Sequence, residues 1–266
     1  MFDSIAGDYD TLNHILSLDV DKIWRKKALK QIVDAPAPVQ VLDLACGTGD
    51  FSIAIAKALS RSHKRVGTPI EAHVKAPAKV PVEAQVTSTG FVTGDSGRSD
   101  LMTKGHVTGV DLSEGMLAVM REKVGKAGLA DMISIEEGDG EALRFPDNTF
   151  DRVTIAFGIR NFENREKGLR EMLRVLKPGG RLVILELSRP ENKIIRWFYD
   201  LYFLHILPKI GGKVSGDKAA YAYLPASVAA FPGKKAFMAT MREAGFRAVT
   251  HKAFTLGICR MYTGEK

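Results

Sequence analysis

Between Val41 and Asp50 the chain reads V-L-D-L-A-C-G-T-G-D: an apolar run, two glycines one residue apart, and the carboxylates Asp43 and Asp50 on either side of them. Gly47 and Gly49 permit a tight turn and let the backbone approach a ligand closely. In a dinucleotide-binding loop a third glycine, three positions further on, lets the following helix pack behind a pyrophosphate. Ser52 stands there instead. S-adenosylmethionine carries no phosphate; it carries a sulfonium, an ammonium, a carboxylate and two ribose hydroxyls, which acidic neighbours suit better. Taken alone, the motif serves equally well as an ordinary strand–turn–helix joint.

The elements that would position such a turn follow from the apolar pattern. Val41, Leu42 and Leu44 suit a central parallel strand, and Phe51, Ile53, Ile55 and Leu59 continue as a helix. An acidic residue that grips cofactor ribose usually closes the second strand about 20 residues after the glycine turn. Here the next such strand, His106 to Asp111, comes roughly 60 residues on, and removing about 40 residues restores the usual interval. The intervening 61–105, with Gly-Thr-Pro, Ala-Pro-Ala and Val-Pro-Val, is predicted to be an inserted flexible loop. Ser113 caps a helix over 114–127 with Gly128 beyond it. Ile133–Glu136 is a third strand running to Asp139, and Phe150–Phe157 a fourth. Arg165–Leu176 is a helix ended by Lys177-Pro178-Gly179-Gly180, Arg181–Leu187 a fifth strand. Phe246–Ala253 and Gly257–Tyr262 are spaced to pair antiparallel at one edge. The predicted fold is α/β: a Rossmann-like, doubly wound, mostly parallel seven-stranded sheet in a single domain spanning 1–266.

Composition agrees. The 266 residues are 45% hydrophobic and 26% charged, ordinary for a soluble globular protein. The N-terminus carries acidic residues where a signal peptide carries basic ones, and no window offers about 18 apolar residues in a row. Cys46 and Cys259 make neither a disulfide framework nor a metal site, so small buried thiols and a cytoplasmic location are expected. Of the formal charge of +7, the segment 61–105 supplies +3, with Lys/Arg at 61, 64, 65, 75, 79, 98 and 104 against Asp/Glu at 71, 83, 95 and 100. Lys22, Arg25, Lys26, Lys27 and Lys30 share a helix with Ile23, Trp24, Ala28, Leu29 and Ile32. That face reads either as solvated or as a peripheral contact with an anionic membrane, at its inner surface.

The assembled pattern resembles class I S-adenosylmethionine-dependent methyltransferases and, more closely, the UbiE/MenG family of quinone C-methyltransferases. The resemblance rests on Met1–Leu18, Val41–Asp50, Asp147–Asn161 (D-N-T-F-D-R-V-T-I-A-F-G-I-R-N), Arg174–Glu186 and Tyr221–Leu224. The glycine turn and K-P-G-G mark only the superfamily; F-G-I-R-N and the N-terminal D-Y-D…N mark the quinone branch. It implies that Asp43, Gly47, Thr48 and Gly49 form the cofactor turn, that Asp111 holds the ribose hydroxyls, and that Asp139 and Gly140 lie beside the adenine. A turn-forming Asp139 and a helix-capping Asp111 are the plainer alternatives. Ala156 stands at a cofactor position where relatives often have serine, and Cys46 where they often have Gly or Ala.

The implied reaction moves a methyl from sulfonium to a quinol ring carbon, most simply demethylmenaquinol to menaquinol, with a ubiquinone-route benzoquinol or another small molecule as alternatives. The ring becomes nucleophilic when a hydroxyl of pKa about 10 loses its proton, so a base or an oxyanion stabiliser is needed. Arg160 and Asn161, at the carboxyl end of the fourth strand, are placed for this. Tyr9, Asp10, Asn13 and His14, on an N-terminal helical lid (1–36), are candidate proton acceptors. The stretch 194–207, within a substrate-covering helical segment (190–235), is rich in aromatics; Trp197 and Phe203 are expected to line the prenyl tail. No metal is called for, and an oligomer stays open. A nucleic-acid methyltransferase fits poorly, since the fourth strand lacks an N-P-P-Y type ending; Ser52 disfavours a nicotinamide oxidoreductase. A noncatalytic binding module is the remaining alternative.

Overall fold

The structure is a computed structural model describing residues 19–34, 39–66, 105–202 and 218–266, without the side chains of 62–66 and 218–222. Tyr9, Asp10, Asn13, His14 and Phe203, and most of the expected insert, lie outside the described residues.

In chain order the elements are α1 (Val20–Val33), β1 (Gln40–Leu44), α2 (Asp50–Val66), β2 (His106–Asp111), α3 (Glu114–Ala127), β3 (Ile133–Glu137), β4 (Phe150–Ala156), a 3-10 turn (Ile159–Asn161), α4 (Arg165–Val175), β5 (Leu176–Leu187), α5 (Lys193–Leu201), α6 (Lys218–Ala230), α7 (Lys234–Glu243), β6 (Arg247–Phe254) and β7 (Cys259–Glu265). The seven strands form one sheet in the order β3-β2-β1-β4-β5-β7-β6. β3, β2, β1, β4 and β5 run parallel; β7 runs against both β5 and the edge strand β6.

Covering both faces with helices explains why the central strands are apolar at successive positions and not at alternate ones. Val41, Val183 and Leu185 pack towards α1, α2 and α3, with Trp24, Ile32, Phe51, Ile55, Leu117 and Met120. Leu42, Leu44, Val153, Ile155, Leu182 and Ile184 point the other way, onto Leu169 and Met172 of α4 and Phe237 and Met241 of α7.

Capping chemistry sets the best-read helix. The Ser113 hydroxyl accepts from the Met116 N–H at 3.2 Å, and Gly128 ends α3 with φ 63°. Three boundaries differ from expectation. α2 runs on to Val66, so the regular structure does not stop at 61. α4 ends at Val175 and the chain enters β5 at once, because Leu176 pairs with Phe150 before the register breaks and resumes at Arg152–Arg181. Lys177–Gly180 is therefore a bulge within β5, with Gly179 at φ 75°, and not a loop before it. β4 ends at Ala156, since Phe157 turns to φ 64°.

Candidate functional site

In a doubly wound sheet the ligand crevice lies beyond the carboxyl ends of the strands where the winding reverses. Here that point is between β1, whose chain continues to β2 on one side, and β4, which continues to β5 on the other. Both strands leave the sheet abruptly: Ala45 has φ 48° and Phe157 φ 64°. Non-glycine residues rarely adopt this region and gather at ligand sites. After Ala45, Gly49 adopts φ 84°, and a Cβ there would sit 2.4 Å from Cγ of Met120 on α3. The second glycine is thus required by both conformation and close packing.

Asp111, ending β2, organises the turn. One carboxylate oxygen accepts from the Gly47 N–H at 2.8 Å and the other from the Ser113 N–H at 2.9 Å. Asp111 lines a cavity of about 340 Å³ at the switch point. The wall also includes Gly47, Asp139, Gly140 and Ala156, so five of the expected cofactor residues meet there. Asp139 additionally forms its own turn, accepting from the Glu141 N–H at 2.8 Å; the plainer reading of Asp139 and the cofactor reading coexist.

Three expected cofactor residues stand behind the wall. Asp43 is fully buried and accepts from the Ser52 hydroxyl at 2.6 Å. Burial pushes its carboxyl up to about 7, against the opposing effects of Ser52 and Arg25. Ser52 is thus the partner of Asp43, a role that its place in the glycine motif did not suggest. Thr48 is buried, its hydroxyl accepting from Lys123 at 3.2 Å, and Gly49 lies under Met120. Asp50 pairs with Lys123. Cys46 bears on the turn with its sulfur 3.5 Å from that of Met120, and burial pushes its thiol well up, as it does that of Cys259.

Arg160 is not among the residues lining the cavity. Its side chain is 7% exposed and its guanidinium donates to the wholly buried Glu186 at 2.8 Å, to the Phe157 carbonyl and to Ser227 Oγ. Glu186 also accepts from the Arg160 and Leu187 N–H groups. The charge faces inward, tying the end of β4 to the end of β5. Asn161, by contrast, does line the cavity, and its Oδ1 accepts from the Tyr223 hydroxyl of α6 at 2.9 Å. Tyr223 went unread because only its membership of the Tyr221–Leu224 stretch marked it. Leu112, 67% exposed beside Asp111, and Phe162 complete the apolar part of the wall and were likewise missed.

α5 turns Arg196, Tyr199 and Asp200 towards the body, whereas Trp197 is 61% exposed, ring to ring with Phe198, and is not among the residues lining the cavity.

The wall's ionisable groups decide what fits it. Asp111, Asp139, Glu141 and Glu163 line the cavity, and no Lys or Arg does among the described residues. Carboxylates repel a pyrophosphate and suit hydroxyl donors and a cation. With this strand order, the fold and site are those of a class I S-adenosylmethionine-dependent methyltransferase. The fold is shared with a SAM-dependent methyltransferase from Aquifex aeolicus, at 20% identity and TM-score 0.53 over 90% of this chain and 88% of that one. It is shared too with Haemonchus contortus phosphoethanolamine N-methyltransferase 2 in complex with S-adenosyl-L-methionine, at 14% identity and TM-score 0.55 over 92% and 52%.

Residues 1–266 match the ubiE/COQ5 methyltransferase family, and the chain belongs to it. It is 43% identical to the ubiquinone/menaquinone biosynthesis C-methyltransferase UbiE of Geobacter sulfurreducens, over the whole chain and 87% of that protein. It is 39% identical to the demethylmenaquinone methyltransferase of Bacteroides fragilis, over the whole chain and 91% of that protein.

Proposed function

We propose that this methyltransferase acts on a ring carbon of a polyprenylated quinol, converting demethylmenaquinol to menaquinol. The carrying observation is the wall of the cavity, which passes from the carboxylates at β2 and β3 to the Asn161–Tyr223 pair at the end of β4. The names of the Geobacter and Bacteroides relatives support a quinone-type acceptor.

When bound, S-adenosylmethionine supplies an electrophilic methyl on sulfur. Asp111 would accept from ribose hydroxyls, while its bonds to Gly47 and Ser113 hold it in place. Asp139 and Gly140 border the same space, and Ala156 offers only backbone. At the acceptor side, the Tyr223 hydroxyl fixes the Asn161 amide by donating to its oxygen, which leaves the amide N–H groups to donate. A quinol oxygen losing its proton, of pKa about 10 in water, is stabilised by such a donor. Arg160 acts on this step through position alone, by holding the 3-10 turn that carries Asn161. The proton acceptor is drawn from Tyr9, Asp10 and His14. The protein works in the cytoplasm, against the inner face of the membrane that holds its substrate.

Methyl transfer from labelled S-adenosylmethionine to tail-less naphthoquinol and benzoquinol tests the reading. Methylated naphthoquinol is expected. Transfer to the benzoquinol alone would move the assignment to the ubiquinone route, and transfer to neither would overturn it.

A further inference from the structure

The large apolar side chains left exposed among the described residues are Ile23, Leu112, Ile194, Trp197, Phe198, Leu201 and Leu256. Their distribution is one-sided. Leu112 directly follows the carboxyl end of β2, and Leu256 sits in the turn from β6 to β7, beside the carboxyl end of β5, where Cys259 pairs with Leu187. Ile23 is on the first turns of α1, which reach that turn through Trp24 Nε1 donating to Thr255 Oγ1 at 2.9 Å. α5 follows β5 and packs Tyr199 against Leu187 and Ile258. All seven thus lie at the edge of the sheet where the cavity opens.

On α5 the four exposed residues fall at positions i, i+3, i+4 and i+7, one stripe of a helix. Such a stripe normally faces a core; here it is 40–70% exposed. Trp and Phe at its centre are side chains suited to the boundary between headgroups and acyl chains.

The carboxylates next to the stripe and at the start of α1 are neutralised in ion pairs: Asp19 with Lys22, Asp21 with Arg25, Asp200 with Arg189, and Glu191 with Lys234 and Arg260; the acids Asp111, Asp139, Glu141 and Glu163 belong to the cavity wall. Lys26 of α1 and Lys193, the first residue of α5, are exposed and enter no ion pair among the described residues. Apolar stripe and uncompensated lysines together match an anionic lipid surface.

We infer that the α5 side of the carboxyl edge, led by Ile194, Trp197, Phe198 and Leu201, docks on an anionic phospholipid bilayer. The inference rests on the quinol reading for its purpose: a polyprenyl tail stays in the bilayer while the ring alone enters the protein. It relocates the membrane contact from the basic helix α1 to α5.

The test is sedimentation of the full chain with vesicles of equal parts phosphatidylcholine and phosphatidylglycerol. Wild type should bind, and its tryptophan emission should shift to the blue and resist iodide. Trp197 reports the change, since Trp24 is already buried. The pair Ile194→Ser and Phe198→Ser, exposed and so safe for folding, should lower partitioning roughly tenfold or more. Turnover on a tail-less quinol without vesicles should stay at the wild-type level, whereas turnover on a prenylated quinol carried in vesicles should fall about tenfold, in step with binding. No sedimentation, or sedimentation indifferent to the pair, would overturn the inference. So would a Trp197 shielded from iodide before vesicles are added, which would mean that the chain itself or a second copy covers the stripe. Loss of tail-less turnover would assign the stripe to the acceptor site instead. Absence of methyl transfer to any quinol would sink the proposed function while leaving the vesicle measurements to stand on their own.

Discussion

Two charged side chains at the carboxyl edge, Asp111 beyond β2 and Arg160 beyond β4, occupy similar places in the fold and do opposite work. Asp111 lines the cavity while bonding the backbone of Gly47 and Ser113. Arg160 turns inward to Glu186 and holds two strand ends together. Position at a strand end offers a residue to the site; its partner decides whether the offer is taken up.

The contrast is broken most directly at Arg160. Arg160→Ala leaves the Glu186 carboxylate in the interior without its cation, held only by the backbone N–H groups of residues 160 and 187, so unfolding in urea should show about 3–5 kcal/mol lost. Replacing both partners, Arg160→Met with Glu186→Gln, should cost clearly less. A stable Arg160→Ala enzyme with reduced kcat and normal KM would return Arg160 to the chemistry.

Asp43 is the next largest effect, and its sign depends on pH. Its folded-state carboxyl titrates near 7 against an ordinary 3.8, so the native state holds the proton more tightly. The stabilising contribution is full below about pH 4, declines between about 4 and 7, and is gone above that window, a change of order 4 kcal/mol at most. Asp43→Asn should flatten the wild-type decline in stability across that window. Equal pH dependence in the two proteins would mean that Asp43 ionises normally.

Asp111→Ala sharpens the other side. Losing charge-assisted bonds worth about 1.5–3 kcal/mol each should weaken S-adenosylmethionine by tenfold or more in titration calorimetry. Unchanged affinity would remove Asp111 from the cofactor site. Smallest is Tyr223→Phe, which frees the Asn161 amide from one bond of about 0.5–1.5 kcal/mol. It should lower kcat several-fold with little change in cofactor affinity; an effect on cofactor affinity alone would place the pair on the wrong side of the reaction.

What the sequence made legible was local. Apolar runs, Ser113, Gly128 and the glycine turn specify strands, caps and a turn within a few residues of themselves, and the structure has them. The early start of β5 was hidden because Lys177-Pro178-Gly179-Gly180 carries turn chemistry even inside a bulged strand. The pairing of Arg160 with Glu186 spans two strands and appears only once Ala156 is set opposite Leu185. Tyr223 reaches Asn161 from α6, 62 positions away, with no spacing rule to announce it. For α5 the richness in aromatics was legible; composition contains no information about what those rings face.

Phe162 separates size from charge in the cavity. Its ring is wedged so tightly that a Cβ on Gly140 or on Gly168 would come within 2.5 Å of it. The acids that give the cavity its sign are other side chains, Glu163 next to it and Asp111, Asp139 and Glu141 elsewhere. Trimming this one ring would therefore widen the chamber beside Gly140 without changing its charge, making Phe162 the natural first position for redesigning the enzyme to accept a cofactor with a bulkier base.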